Sequence, residues 1–353
     1  MQKVVYVPVL ILRDEEIKRL STLRDAFLHE EVIPFLEIVR DFLNPVIRPG
    51  RIKKDGTIGK SSENDARLLA NILLALPKGK APFVAVYRNL KKCSSSDFSE
   101  DYPYLSSLFD VNSYFSESTH LFDFPNVIPV FEVDNHDDLL SASSFVEKAH
   151  SLNRSVGLRV NVIDDEETAI LGQLLESDYL FLNLGEEDVS TSESSLMNYD
   201  ESDVKAPLIV IGENHPAALK TKELVDAKNE NKKLHCDYFD EIKSFPYVAG
   251  AGDYCGVKNV LKQESMRSKI PHPGQANLII YHHNTKGYRV FVDGKADGAR
   301  GYANILAQAL KNSHEIDSHA LGIIRGEKTT GSYARWNVIG AIHYVYDVLQ
   351  IVV

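Results

Sequence analysis

Four acidic residues stand at the ends of apolar, strand-like runs: Glu37, Glu132, Glu213 and Asp253. Packing gives no reason for a carboxylate there, because burying its charge is costly unless it is paired or hydrated. Gathered in one place, such acids can hold a hard divalent cation through oxygen ligands. Glu37, Glu132 and Asp253 are then the candidate ligands and Mg2+ the representative cofactor. Alternatively, two of the four act as general acid and base, their proton affinities driven apart by crowding. Arg159, Asn161 and Asn183 occupy comparable places in neighbouring runs and are candidate substrate-binding groups, Arg159 for a phosphate. A basic loop with Lys53, Lys54 and Lys60, flanked by Arg48 and Arg51, would steer that phosphate. The plainer reading is a salt-bridged plug, in which Arg159 neutralises one or two acids and nothing binds.

These side chains need a scaffold, and the sequence supplies eight short apolar runs. They are predicted over 4–12, 32–38, 82–89, 127–133, 155–163, 179–184, 208–211 and 247–251. Helical patterns lie between them, as at Asp14–Leu20, Glu63–Leu76, His136–Leu152, Asp165–Leu175 and Ala217–Asn229. Strands joined by helices imply a parallel sheet with crossovers, and eight of them favour closure into a (β/α)8, TIM-barrel-like α/β fold. An open doubly wound sheet is the alternative, but its glycine-rich first turn is missing from Leu12-Arg13-Asp14-Glu15. Alternation along the strands sends Arg159 and Asn161 inward, and sets Glu37 with Phe35, Glu132 with Val130 and Asn183 with Phe181. All but Arg159 lie at C-terminal strand ends, where barrel active sites are built. The segments Val32–Ile38 and Val127–Val133 resemble each other closely, through either duplicated βα units or the narrow vocabulary of barrel strands.

After residue 265 the pattern changes. Asn277–Tyr281 and Tyr288–Val292 read as an antiparallel hairpin, followed by helices over Tyr302–Lys311 and Arg335–Ile351. The barrel is therefore assigned to 1–265, and the hairpin with its helices, to 266–353, packed on the barrel or closing it. Hydrophobic residues at 44% and charged residues at 25% are those of a globular protein with a sizeable core. A net charge of -11 argues against a protein coated by nucleic acid, while leaving room for a local basic groove. Cys93, Cys236 and Cys255 form no disulfide framework, and no apolar run is long enough to span a bilayer, so the expected setting is the cytoplasm, with no membrane.

Other motifs are weaker. Asp55–Ser62 looks like a phosphate loop, but Lys54 stands where its first glycine belongs. His282 and His283 face opposite ways on a strand, His343 falls among apolar helix neighbours, and Trp336 reads as a packing anchor. Neither Gly-x-Ser-x-Gly nor His-Glu-x-x-His occurs.

Several strand ends together resemble the Beta protein family of bacteria and phages. The resemblance is carried by Tyr6-Val7-Pro8-Val9-Leu10, Val32–Ile38, Gly157-Leu158-Arg159-Val160, Leu182-Asn183-Leu184-Gly185, Gly252-Asp253-Tyr254 and Ala334-Arg335-Trp336 with Gly340 and His343. Two positions differ from that pattern: Asn183 stands where an aspartate would, and His343 is single where a pair would be usual. The resemblance implies a barrel-like fold in a setting of mobile elements or anti-phage defence. On this basis the expected function is a defence component that acts on or binds a nucleotide or nucleic acid at the C-terminal rim, as a metal-assisted hydrolase or a nucleic-acid-processing enzyme. The alternative is a non-catalytic scaffold or specificity subunit whose protein–protein interaction is with a nuclease or other defence protein.

Overall fold

The computed structural model describes residues 6–48, 62–65, 68–88, 103–185, 187, 189–212, 238–256, 277–282, 284, 287–292, 301–326 and 333–352. In chain order its strands are β1 (Tyr6–Ile11), β2 (Phe35–Ile38), β3 (Val46–Arg48), β4 (Ser62–Asn64), β5 (Phe83–Val86) and β6 (Ile128–Val133). They continue with β7 (Gly157–Val160), β8 (Tyr179–Gly185), β9 (Leu208–Gly212), β10 (Val248–Asp253), β11 (Asn277–His282) and β12 (Gly287–Val292). Eight of them close into a parallel barrel in the order β1-β10-β9-β8-β7-β6-β5-β2, so the fold is the TIM-barrel-like α/β architecture. β11 and β12 form the C-terminal antiparallel hairpin.

Strand parity decides what fills the barrel. Phe35 pairs in register with Phe83, and Arg159 with Phe181, so these side chains share the inward face. The Phe35, Phe83 and Phe181 rings meet with centroids 4.8 to 6.2 Å apart and plug the lower lumen. Gly157 makes room for this plug, since a Cβ there would stand 2.8 Å from the Phe181 ring and 2.9 Å from Val130. The opposite strand faces carry Val84, Leu158, Val160, Leu180 and Leu182, all buried against the surrounding helices.

The hairpin packs against the long helix Tyr333–Val352. Gly340 permits the approach, because the Ile279 carbonyl oxygen lies 2.6 Å from where a Cβ would sit. His343 cements it: Nδ1 accepts the Asp317 backbone N–H at 2.9 Å and Nε2 donates to the Tyr281 carbonyl at 2.6 Å. Both ring nitrogens are occupied, which makes His343 a structural residue, and Trp336 beside it is buried.

Some local expectations fail. The helix expected over Glu63–Leu76 is the short segment Leu69–Leu73, because Ser62–Asn64 instead pairs with Val46–Arg48. The stretch before β6 contains helices at Pro103–Ser107 and Val111–Thr119, and another helix, Ser318–Gly326, precedes the last one. Glu213, Lys53, Lys54, Lys60, the loop 55–61, the expected helix 217–229, Cys93 and Cys236 lie outside the described residues.

Candidate functional site

The upper lumen, toward the C-terminal strand ends, is polar. Arg159 on β7 crosses the barrel to Glu37 on β2, two strands beyond its own neighbour β6, and donates from Nη1 to Oε1. Its Nη2 donates to the Tyr254 hydroxyl at 2.5 Å, and that hydroxyl donates on to Glu37 Oε1 at 2.9 Å. The guanidinium carbon also lies 5.6 Å from the centre of the Phe35 ring and 5.9 Å from that of Tyr254. All three residues are buried. Glu37 Oε2 and Arg159 Nε have no hydrogen-bond partner among the described residues.

Glu132 pairs in register with Arg159, and so stands beside it on the inward face of β6. No hydrogen bond to its carboxylate is found among the described residues. Burial pushes its pKa up to about 8; Arg159 pulls it down, Glu37 and Asp134 push it further up, and Arg88 pulls it down. Glu132 is therefore a carboxylic acid at neutral pH. For Arg159, burial opposes the charge, yet Glu132, Tyr254 and Glu37 more than offset it and strengthen its hold on its proton. Burial raises the Tyr254 phenol, with Arg159 pulling it down and Glu37 and Glu132 pushing it further up.

One pleat further toward solvent, roughly 7 Å along the strands, runs a ladder of amides. Asn183 Nδ2 donates to Asn161 Oδ1 at 3.0 Å, and Asn161 Nδ2 donates to Asp134 Oδ1 at 3.0 Å. Asn183 Oδ1 has no partner among the described residues. A second cation, Arg88, follows β5; it donates from Nη1 to the buried Asp138 at 2.7 Å and lies 4.6 Å from the centre of the Tyr114 ring. Sequence reasoning missed Arg88, Tyr114 and the part played by Tyr254. An arginine just past an apolar strand was the available signal for Arg88.

Asp253 does not join this cluster. It pairs in register with Pro8 and points outward, toward the Tyr333–Val352 helix. There its carboxylate accepts from the Tyr6 hydroxyl at 3.2 Å, from the Tyr344 hydroxyl and from the Cys255 backbone N–H at 2.9 Å. Burial lifts its pKa to about 6, with the Tyr344, Cys255 and Tyr6 hydrogen bonds pulling the other way. The following residue, Tyr254, takes the inward place, and the backbone then turns through a left-handed Cys255 (φ 54°) and Gly256 (φ 68°). Glu37, Glu132 and Asp253 thus do not share a cation site, because the wall of the barrel stands between Asp253 and the other two. No group of three or more His, Cys, Asp or Glu side chains suited to a metal ion is found among the described residues. Arg159, expected to take a phosphate, has both terminal nitrogens committed to Glu37 and Tyr254.

The class these observations define is a parallel eight-stranded α/β barrel with a buried carboxylate–guanidinium–phenol cluster under its C-terminal mouth. No protein-family model matches the chain, and no curated protein matches it. Among solved structures, a DUF72 family protein from Enterococcus faecalis V583 is similar at 11% identity and a TM-score of 0.33, over 71% of this chain and 90% of that one. A family 123 glycoside hydrolase from Clostridium perfringens is similar at 12% identity and a TM-score of 0.36, over 99% of this chain and 69% of that one. Superpositions that loose carry no argument; the fold rests on the register of its own closed barrel. No helix among the described residues is long and apolar enough to cross a membrane.

Proposed function

We propose that this barrel is an acid–base enzyme working on a small ligand at its mouth, with Glu132 as proton donor. The observation that carries this reading is the contrast between two neighbouring glutamates. Glu37 is ion-paired to Arg159 and hydrogen-bonded by Tyr254. Glu132 has neither support and keeps its proton to about pH 8. Carboxyl groups with environments this different divide acid and base roles between them. Glu132 gives its proton to the oxygen or nitrogen that gains negative charge as a bond breaks. Glu37 offers Oε2 to the hydroxyl or water that reacts, and Arg159 and Tyr254 hold it in place. The Beta-protein resemblance would set such an enzyme among phage-defence genes; the reading of the site is independent of that setting.

The test is a carboxyl-carbon NMR titration of protein labelled at glutamate. One glutamate resonance should titrate near pH 8 and disappear in Glu132→Gln. If the resonance lost in Glu132→Gln titrates below pH 6, the reading is overturned.

A further inference from the structure

The atoms that the mouth leaves without partners specify what a ligand must bring. Glu37 Oε2 and Asn183 Oδ1 are acceptors and need a donor, whereas Arg159 Nε and Arg88 Nε are donors and need an acceptor. Glu37, Arg159 and Arg88 are all more than nine-tenths buried, so leaving these atoms unmatched is costly. A fully ionised phosphate ester group brings only acceptors and an ammonium only donors. A hydroxyl brings both, and two hydroxyls on neighbouring carbons can serve Glu37 and Arg159 together.

Charge points the same way. The two buried arginines among the described residues are each already matched to a carboxylate, Arg159 to Glu37 and Arg88 to Asp138. A phosphate would therefore bring charge that neither of these guanidinium groups is free to neutralise. The ladder Asn183–Asn161–Asp134 adds a rim of two amides ending on a carboxylate one pleat above, a spacing of roughly 7 Å that a sugar ring with its hydroxyls spans.

We infer that the mouth binds an uncharged, hydroxyl-rich ligand of the sugar class through Glu37, Arg159 and the asparagine ladder. This rests on the acid–base reading for its chemistry but not for its binding. The experiment is a calorimetric and thermal-melt titration with glucose, galactose, mannose, xylose, N-acetylglucosamine, maltose and cellobiose, alongside glucose 6-phosphate and inorganic phosphate. At least one uncharged sugar should raise the melting temperature and bind at least tenfold more tightly than the phosphate probes. Asn183→Ala should weaken that binding about tenfold. No stabilisation by any uncharged sugar overturns the inference, as does tighter binding of either phosphate probe. A sugar bound equally well by Asn183→Ala overturns the assigned site. The glutamate titration is untouched by all of these results, so loss of the ligand class and loss of the acid–base reading are told apart.

Discussion

The two ends of this barrel treat buried charge in opposite ways. At the N-terminal end, Asp178 is fully buried and accepts from Leu175 N–H at 2.7 Å, Val156 N–H at 3.0 Å and His150 Nε2 at 2.8 Å. Nearby, Arg154 donates to the carbonyls of Phe122, Phe124 and Val127 at 2.6 to 2.7 Å. These side chains tie loops to strands, and apart from His150 their partners are backbone groups that would otherwise be orphaned. At the C-terminal end, Arg159, Glu37 and Tyr254 bond to one another, and polar atoms are left over. One end spends its charge on holding the fold; the other keeps hydrogen-bonding capacity in reserve. Barrels generally divide stability and chemistry between their ends in this direction.

The largest effect should come from breaking the mouth pair. Arg159→Met leaves Glu37 buried with only Tyr254 for support and should cost about 3–5 kcal/mol in urea denaturation. The double variant Arg159→Met/Glu37→Leu should recover most of that loss, because a buried ion pair is often replaceable by apolar groups of similar volume. A double variant as unstable as the single would make the pair structural, and the contrast between the ends would vanish.

Next in size is the floor. Asp178→Ala orphans two backbone N–H groups, those of Leu175 and Val156, at about 1–3 kcal/mol each. No second side-chain change should rescue it, since the unmatched donors belong to the main chain. Rescue by His150→Leu would show that the two ends follow the same rule.

How far the sequence shows this division depends on the strand. Parity reads well on β2, β6, β7 and β8, where large residues such as Phe35, Val130 and Phe181 mark the inward face. Glu37, Glu132, Arg159, Asn161 and Asn183 are found on the side that parity gives them. On β10 it fails, because Ala249-Gly250-Ala251-Gly252 offers no bulky residue to mark a face. Position at the strand end then groups Asp253 with the mouth, although Tyr254 is the residue pointing in. The cross-barrel bond from Arg159 to Glu37 joins strands that are not neighbours, which spacing along one strand cannot reveal. The helix expected from residue 63 has real apolar spacing at Leu69, Ile72 and Leu76, but tertiary pairing of β4 with β3 claims its first turn.

The pH dependence of stability sharpens the same comparison, with a smaller change per pH unit. Glu132 has a folded value of about 8 against an ordinary 4.5, so the folded chain keeps a proton that the unfolded chain releases. Its contribution is complete below about pH 4.5 and is lost as pH rises toward 8, by up to about 1.4 kcal/mol per pH unit. Asp253 acts with the same sign, but only between 3.8 and about 6. Stability of the wild type minus that of Glu132→Gln, followed from pH 6 to 8, should therefore fall steadily. A flat difference would mean that Glu132 titrates like an exposed glutamate.

The smallest effect belongs to the rim. Asn183→Ala removes one hydrogen bond, from Nδ2 to Asn161 Oδ1, at a half-buried position. It also removes Oδ1, an acceptor that has no partner among the described residues, so part of the loss is offset. The net change in denaturation free energy should be under about 1 kcal/mol. At the floor, a change of comparable size in the side chain orphans backbone groups and costs several times more. A residue nearly neutral for stability yet needed for ligand binding is what a reserved rim predicts. If Asn183→Ala instead costs more than about 2 kcal/mol, the ladder is holding the strand ends together, and the mouth is braced in the same manner as the floor.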